Sequence, residues 1–235
     1  DMAKLNLIPT FGLPASDNLY TANPGSSLKL MSIGRLSAIN TDEVKLYLEK
    51  VKEYEFAQST SSQNFEDKKW MKNVVHVVGA SDATLGTILN NYMVKYKNII
   101  SDTCFGANVH TFSKTSATAV ESLAEVRIQN LFREGISLLT YYGHSSASTL
   151  EFNLDNPNTY DNKGKYPVFN VMGCNAGNFY NFNTLRFITK ETLSEKFVLA
   201  PERGSVAFIA STHFGIVHYL DIVNTRTYNA ITGSM

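Results

Sequence analysis

Cysteine is scarce in this 235-residue chain, which has only Cys104 and Cys174. Two thiols cannot build a disulfide framework, and their separation has no metal-ligand spacing. A Cys104–Cys174 bridge stays open only formally, since Cys174 falls at a strand end and Cys104 in a loop after a different helix. Net charge is missing too, because 21 Lys and Arg balance 21 Asp and Glu. With no basic cluster and no zinc-finger spacing, no nucleic-acid partner is expected. No apolar run approaches the roughly 20 residues of a membrane-spanning helix, so no transmembrane segment is expected. Asp1 to Leu13 has neither a basic start nor a long apolar stretch, so no signal peptide is read there and the sequence is taken as a mature or trimmed form. No internal repeat is visible.

What is present is ordinary for a soluble globular chain, with 43% hydrophobic and 18% charged residues. The length suits one large domain or two small ones. The 12 Tyr and 14 Phe, with many Asn, suit an extracytoplasmic surface.

Residues 1–30 are rich in Pro, Gly, Ser and Asn and read as irregular, with a short strand near Leu5 to Ile8. Leu28 to Ile33 reads as another short strand. Asn40 then caps a helix from Thr41 to Phe56, with Glu43 completing a capping box and Val44, Leu48, Val51 and Tyr54 as its apolar face. A polar linker from Gln58 to Asn64 follows. Val74 to Val78 is a nearly continuous apolar run, interrupted by His76, as expected of a parallel strand covered on both faces. From there strands at Val109 to Phe112, Ile136 to Tyr142, Val168 to Met172 and Val206 to Ala210 alternate with helices. The helices are read at Thr84 to Lys97, at Thr118 to Phe132 (Ala119, Leu123, Val126 and Leu131 inward), at Leu193 to Leu199 and at Val217 to Ile231. Such alternation predicts an α/β sandwich with a mainly parallel sheet, whose ligands bind outside the carboxyl ends of the strands.

Four chemically able positions fall at those ends: Asp82, His144, Cys174 and the loop opening at Ser211. His144 and Cys174 each follow a glycine that ends a buried run. A thiol nucleophile needs an imidazole to activate it and donors for the oxyanion, so the pair is the main candidate site. Gly173 is expected to leave room beside the sulfur for a substrate. A lone cysteine is commonly inert core, and a lone histidine commonly packing or surface. Among the other histidines, His76 reads as core, His110 has no nucleophile near it, and His213 and His218 suit a pocket wall. Ser145 and Ser146 raise a serine-hydrolase alternative without a G-x-S-x-G elbow. Asn153 to Asp161 has the oxygen-rich composition of a calcium loop without EF-hand spacing, so structural calcium is kept open; Asp155 and Asp161 otherwise serve solvation or turns.

The segments Tyr142-Gly143-His144-Ser145-Ser146 and Gly173-Cys174-Asn175-Ala176-Gly177-Asn178-Phe179 resemble the histidine and cysteine motifs of the gingipain-like cysteine peptidases. Ile33 to Ala38, Val77 to Asp82 and Gly204 to Ser211 extend the resemblance from about Asp17 to Ala230. It implies a caspase-like three-layer α/β/α sandwich, divided into a partial N-terminal subdomain (residues 1–65) and a caspase-like catalytic subdomain (66–235). It implies a cysteine endopeptidase with Cys174 as nucleophile, His144 as acid and base, and the backbone N–H groups of Ser145 and Cys174 as oxyanion hole. Asp82, or Ser81 in an alternative register, would orient the histidine. Ser211, Thr212, His213 and Phe214 would wall the substrate pocket.

Three departures limit the carry-over. Ser145 stands where the family has glycine and is expected to add bulk beside the substrate. The pocket loop has Ile216, Val217 and His218 in place of a tryptophan. The helix after Asp82 has no acidic residue, so Arg or Lys specificity is not carried over. No cofactor is required for the chemistry. A protein or peptide substrate and a secreted or cell-surface location follow from the resemblance. A PorU-type sortase, with type IX secretion components as partners, and a catalytically silent envelope scaffold are the alternatives.

Overall fold

Five strands pair edge to edge in the computed structural model of the chain, which describes residues 8–26, 28–59, 62–80, 82–102, 104–114, 118–179 and 192–233. They are β1 (Asn73–Gly79), β2 (Asn108–Ser113), β3 (Leu138–Gly143), β4 (Val168–Met172) and β5 (Ala207–Ala210). All pairings are parallel, in the order β2-β1-β3-β4-β5. The direction of strand addition reverses between β1 and β3, the kind of switch point outside whose carboxyl ends ligands bind in open parallel sheets. The helices are α1 (Thr41–Ser59), α2 (Phe65–Lys68), α3 (Ala83–Ile100), α4 (Thr118–Glu134), α5 (Leu193–Val198) and α6 (Val217–Thr232).

Alternation along each strand divides the core in two. Val75, Val77, Leu139, Tyr141, Phe169 and Val171 face a cluster with Ile128, Leu131 and Phe132 of α4 and Leu193 and Phe197 of α5. Val74, Val78, Leu138, Tyr142 and Met172 face Leu89, Met93, Tyr96 and Ile100 of α3 and Tyr228 of α6. The sheet is therefore the middle of three layers, as expected. The loop after β3 is more than polar: Leu150, Phe152, Leu154 and Tyr160 are buried in the first cluster.

Several local expectations are corrected. Leu28 to Ile33 forms no strand; the segment has one isolated bridge, Ala22 to Lys29, and Leu28, Leu30 and Met31 stay exposed. An apolar run becomes a strand only where a partner edge reaches it. The expected strand near Leu5 lies largely outside the described residues. Helix α1 has its Asn40 cap, with the Glu43 N–H donating to Asn40 Oδ1 at 2.9 Å, while Glu43 Oε2 accepts from the N–H of Ile39, one residue before the cap, at 3.0 Å; Val44 and Leu48 are exposed. Its buried positions are Glu43 and Lys50. Lys50 Nζ donates to the carbonyls of Val198 and Arg203 at 2.8 Å, capping the end of α5, so tertiary polar bonding turns the helix away from its apolar stripe. Burial pulls that amine down to about 7. On α4, Leu123 and Val126 are exposed while Ile128, Leu131 and Phe132 go inward, and Ala119 carries no description. Ile209 of β5 is exposed, as suits a strand paired on one side only among those described.

One polar row crosses the sheet. His76, Thr140 and Asn170 are register partners on β1, β3 and β4, all fully buried. The Tyr228 hydroxyl lies 2.7 Å from both His76 Nε2 and Thr140 Oγ1, and Asn170 Nδ2 donates to Asn224 Oδ1 at 2.5 Å. Burial holds the His76 imidazole down at about 3, so it is neutral in the fold. The unfolded chain binds its proton near pH 6.5, and the folded chain does not until about 3. Stability from this group is thus present above pH 6.5 and lost as pH falls toward 3. The urea midpoint should fall over this window more steeply in the wild type than in His76→Gln. Parallel slopes would show that His76 is not the titrating group.

Candidate active site

The register of β3 and β4 brings the two motif residues level. Tyr142 pairs with Met172, and His144 and Cys174 each lie two residues beyond that pair, on strands spaced about 4.8 Å apart. The Ser145 hydroxyl ties the two turns together, donating to the Cys174 carbonyl at 2.7 Å. Close approach explains the glycines. A Cβ on Gly143 would lie 2.1 Å from the Gly79 carbonyl oxygen, its register partner across β1 and β3. A Cβ on Gly173 would lie 2.2 Å from Ser145 Oγ. Gly173 therefore makes space for the serine rather than for an incoming ligand, and Ser145 turns its bulk toward the Cys174 backbone. The serine-hydrolase alternative loses support, because Ser146 Oγ is likewise engaged, 2.7 Å from Thr149 Oγ1.

His144 is held by its backbone on both sides while its side chain is exposed. Its N–H donates to the Gly79 carbonyl at 2.9 Å. Its carbonyl accepts from the Tyr141 hydroxyl at 2.5 Å and from the Glu151 N–H at 3.1 Å. Burial raises the Tyr141 phenol far above its ordinary value, keeping it a neutral donor at physiological pH. Tyr141 is thus a positioning residue that sequence reading passed over as one more apolar strand residue.

Asp82 is the N-cap of α3, accepting the Leu85 N–H on Oδ1 at 2.7 Å. Among the described residues no hydrogen bond or ion pair joins it to His144. The alternative at Ser81 lies outside the described residues. Cys104 is exposed and free, and Cys174 is half-buried and free.

The loop after β5 meets the Cys174 turn directly. The Asn175 N–H donates to the His213 carbonyl and the Gly177 N–H to the Ser211 carbonyl, each at 2.9 Å, so the two segments run side by side in opposite directions. Ser211 Oγ lies 2.5 Å from the Gly173 carbonyl oxygen and 2.9 Å from that of His213. The Gly215 N–H donates to Cys174 Sγ at 3.3 Å. Asn175 takes the left-handed conformation, φ 57°, which turns the chain sharply just after the sulfur. The Thr212 hydroxyl donates to the Ala15 carbonyl at 2.9 Å, bringing the N-terminal segment against this wall. Asn175 was legible only as a member of the cysteine motif and Gly215 only as part of the loop after the last strand; their contacts were not, since His213 and Cys174 lie in turns distant in sequence.

Two backbone donors are uncommitted among the described residues. In the bridge between Ser145 and Leu150, the Ser146 N–H goes to the Thr149 carbonyl and the Glu151 N–H to that of His144, so the Ser145 N–H points out of the turn. Among the described residues neither the Ser145 nor the Cys174 N–H meets an acceptor. Also among the described residues, no group of three or more His, Cys, Asp or Glu side chains is arranged to hold a metal. In the oxygen-rich loop, Asp155 Oδ1 accepts the Leu150 N–H at 2.7 Å and Asn156 Oδ1 accepts the Asn158 N–H at 3.0 Å, which are turn-forming roles.

The fold has counterparts among known proteins. The crystal structure of the Arg-specific cysteine proteinase gingipain R superposes with a TM-score of 0.68 at 17% identity, over 97% of this chain and 51% of that one. The complex of Porphyromonas gingivalis RgpB pro- and mature domains gives 0.68 at 18% identity, over 96% of this chain and 52% of that one. The chain thus spans about half the length of the solved structures it matches. No curated protein matches it by sequence. The sequence signature of peptidase family C25 matches residues 1–235, and with a histidine and a cysteine level at adjacent ends of a parallel sheet, the chain belongs to that family.

Proposed function

We propose that the chain is the catalytic part of a cysteine endopeptidase. His144 takes the Cys174 proton, and the sulfur attacks the carbonyl carbon of the scissile peptide bond. The oxyanion then accepts from the N–H groups of Ser145 and Cys174. His144 returns the proton to the leaving amine as the C–N bond breaks, leaving a thioester on Cys174. Water, deprotonated by His144, attacks the thioester; the acid product leaves and the thiol is restored. Asp82 is assigned to orient His144 through the carboxylate oxygen that the Leu85 N–H does not occupy. Ser211 to Phe214 form the substrate wall. Within this reading the protein acts outside the cell or at its surface on protein substrates, and residues 1–65 belong to an N-terminal subdomain. Attack by an amine instead of water would make the same acyl-enzyme a transpeptidase.

The observation that carries the proposal is the level placement of His144 and Cys174 beside two backbone donors that meet no acceptor among the described residues. Cys104 supplies an internal reference, because it is the more exposed thiol. Under limiting iodoacetamide at neutral pH, peptide mapping should find Cys174 modified at least about tenfold faster than Cys104, as expected of a thiol activated by its surroundings rather than by access. Equal or faster modification of Cys104 would sink the nucleophile assignment.

A further inference from the structure

The loop that brings a donor to the sulfur also presents large apolar side chains to solvent. Gly215 gives its N–H to Cys174 Sγ, and its neighbours are Phe214, 73% exposed, and Ile216, 61% exposed. Tyr219, in the first turn of α6, is 63% exposed and lies one helical step beyond Ile216. The backbone between them has little freedom. A Cβ on Gly215 would lie 2.6 Å from Leu220 Cδ1 and 2.9 Å from the Gly173 carbonyl oxygen, so the loop is pressed onto the turn that carries the thiol. Phe214 and Ile216 therefore flank the contact with the sulfur in chain order and are held there by the pairing of Asn175 with His213.

The segment abutting this wall offers no free charge to a substrate at Asp17. Two residues past Ala15, the Asp17 carboxylate accepts from Arg35 Nε and Nη2, both at 2.6 Å. The pair is mostly shielded, so its carboxylate is already matched. Exposed apolar side chains on the residues next to one that contacts a reactive sulfur gain by covering an apolar group of the ligand.

Resting on the assignment of Cys174 as nucleophile, the geometry points to a peptide substrate with an aromatic or large aliphatic side chain on the residue whose carbonyl is attacked. Phe214 and Ile216 are the side chains that select it. Apolar contacts of this kind discriminate by about 10- to 200-fold.

The test uses the full chain and four peptidyl acyloxymethyl ketones that differ only at that residue: Phe, Leu, Arg and Asp. Cys174 Sγ displaces the carboxylate from the probe's methylene carbon, so mass spectrometry of the alkylated thiol reads recognition without turnover. The Phe and Leu probes should modify Cys174 at least about tenfold faster than the Arg and Asp probes. Phe214→Asp, at an exposed position, should shrink the Phe-to-Arg ratio at least about fivefold, and Phe214→Tyr should preserve it. Iodoacetamide is run in parallel. If it marks Cys174 ahead of Cys104 while the Arg or Asp probe leads, or all four react alike, the apolar preference is wrong and the nucleophile stands. An unchanged ratio in Phe214→Asp likewise overturns the selecting role. If neither reagent marks Cys174 ahead of Cys104, the nucleophile assignment falls and takes this inference with it.

Discussion

Cys174→Ala should lower peptide turnover by about four to six orders of magnitude while leaving the unfolding midpoint close to that of the wild type. The size follows from removal of the group that forms the bond, since nucleophile deletions in acyl-transfer enzymes cost up to about 10⁶ in kcat. The small structural effect follows from the thiol's surroundings. Its one close donor among the described residues is the Gly215 N–H, at 3.3 Å, and that contact to sulfur is weak. The loop keeps the Asn175–His213 and Gly177–Ser211 backbone bonds whether or not the sulfur is present. His144→Ala should be nearly as severe, because its backbone bonds to Gly79, Tyr141 and Glu151 survive loss of the ring. The double variant should be no slower than Cys174→Ala alone, as two groups acting in one step are not additive. Rates from a quenched peptide, with urea unfolding of the same preparations, check both halves. Retained turnover in His144→Ala would mean another base serves Cys174. A double variant slower by the product of the single effects would mean the two act separately.

Gly143→Ala should cost the fold at least about 3 kcal/mol and reduce activity with it, for a methyl group is being driven into backbone that has no flexible end to yield. The added Cβ would meet the Gly79 carbonyl oxygen at 2.1 Å and its carbon at 2.6 Å. That same oxygen accepts the His144 N–H at 2.9 Å, so whatever relieves the clash disturbs the bond that holds the histidine. Gly34→Ala is the matched control, with nothing within 4 Å of its added Cβ. It should change stability by less than about 0.5 kcal/mol. Denaturant melts of the two variants make the comparison. Equal midpoints would show that β1 and β3 can separate at their ends without penalty, and the tight-register account of His144 would fail.

How much of this was legible beforehand differs from element to element, for physical reasons. The central strands were readable because burial on both faces leaves a run that is apolar but for one residue, as in Val74 to Val78 around His76 and Val168 to Met172 around Asn170. Helix existence was readable from caps and period, but not which way a helix faces. Helix α1 shows Val44 and Leu48 to solvent and buries Lys50, because the carbonyls at the end of α5 supply acceptors that no local pattern announces. Leu28 to Ile33 has the composition of a strand but, among the described residues, meets only the isolated bridge from Ala22 to Lys29 and no strand edge. Asp82 was legible as a residue at a strand end, whereas its bond to Leu85 makes it a helix cap in the fold.

By itself the sequence determined that a histidine and a cysteine would each follow a glycine at the end of a buried strand, since periodicity and chain punctuation are local properties. Tertiary structure decided what surrounds them. Parallel register put His144 and Cys174 level, close packing assigned Gly143 and Gly173 to backbone and serine contacts, and the β5 loop brought the Gly215 N–H to the sulfur from 41 residues away. Hydrogen bonds between distant segments depend on how whole layers stack, and no single stretch of chain contains that information.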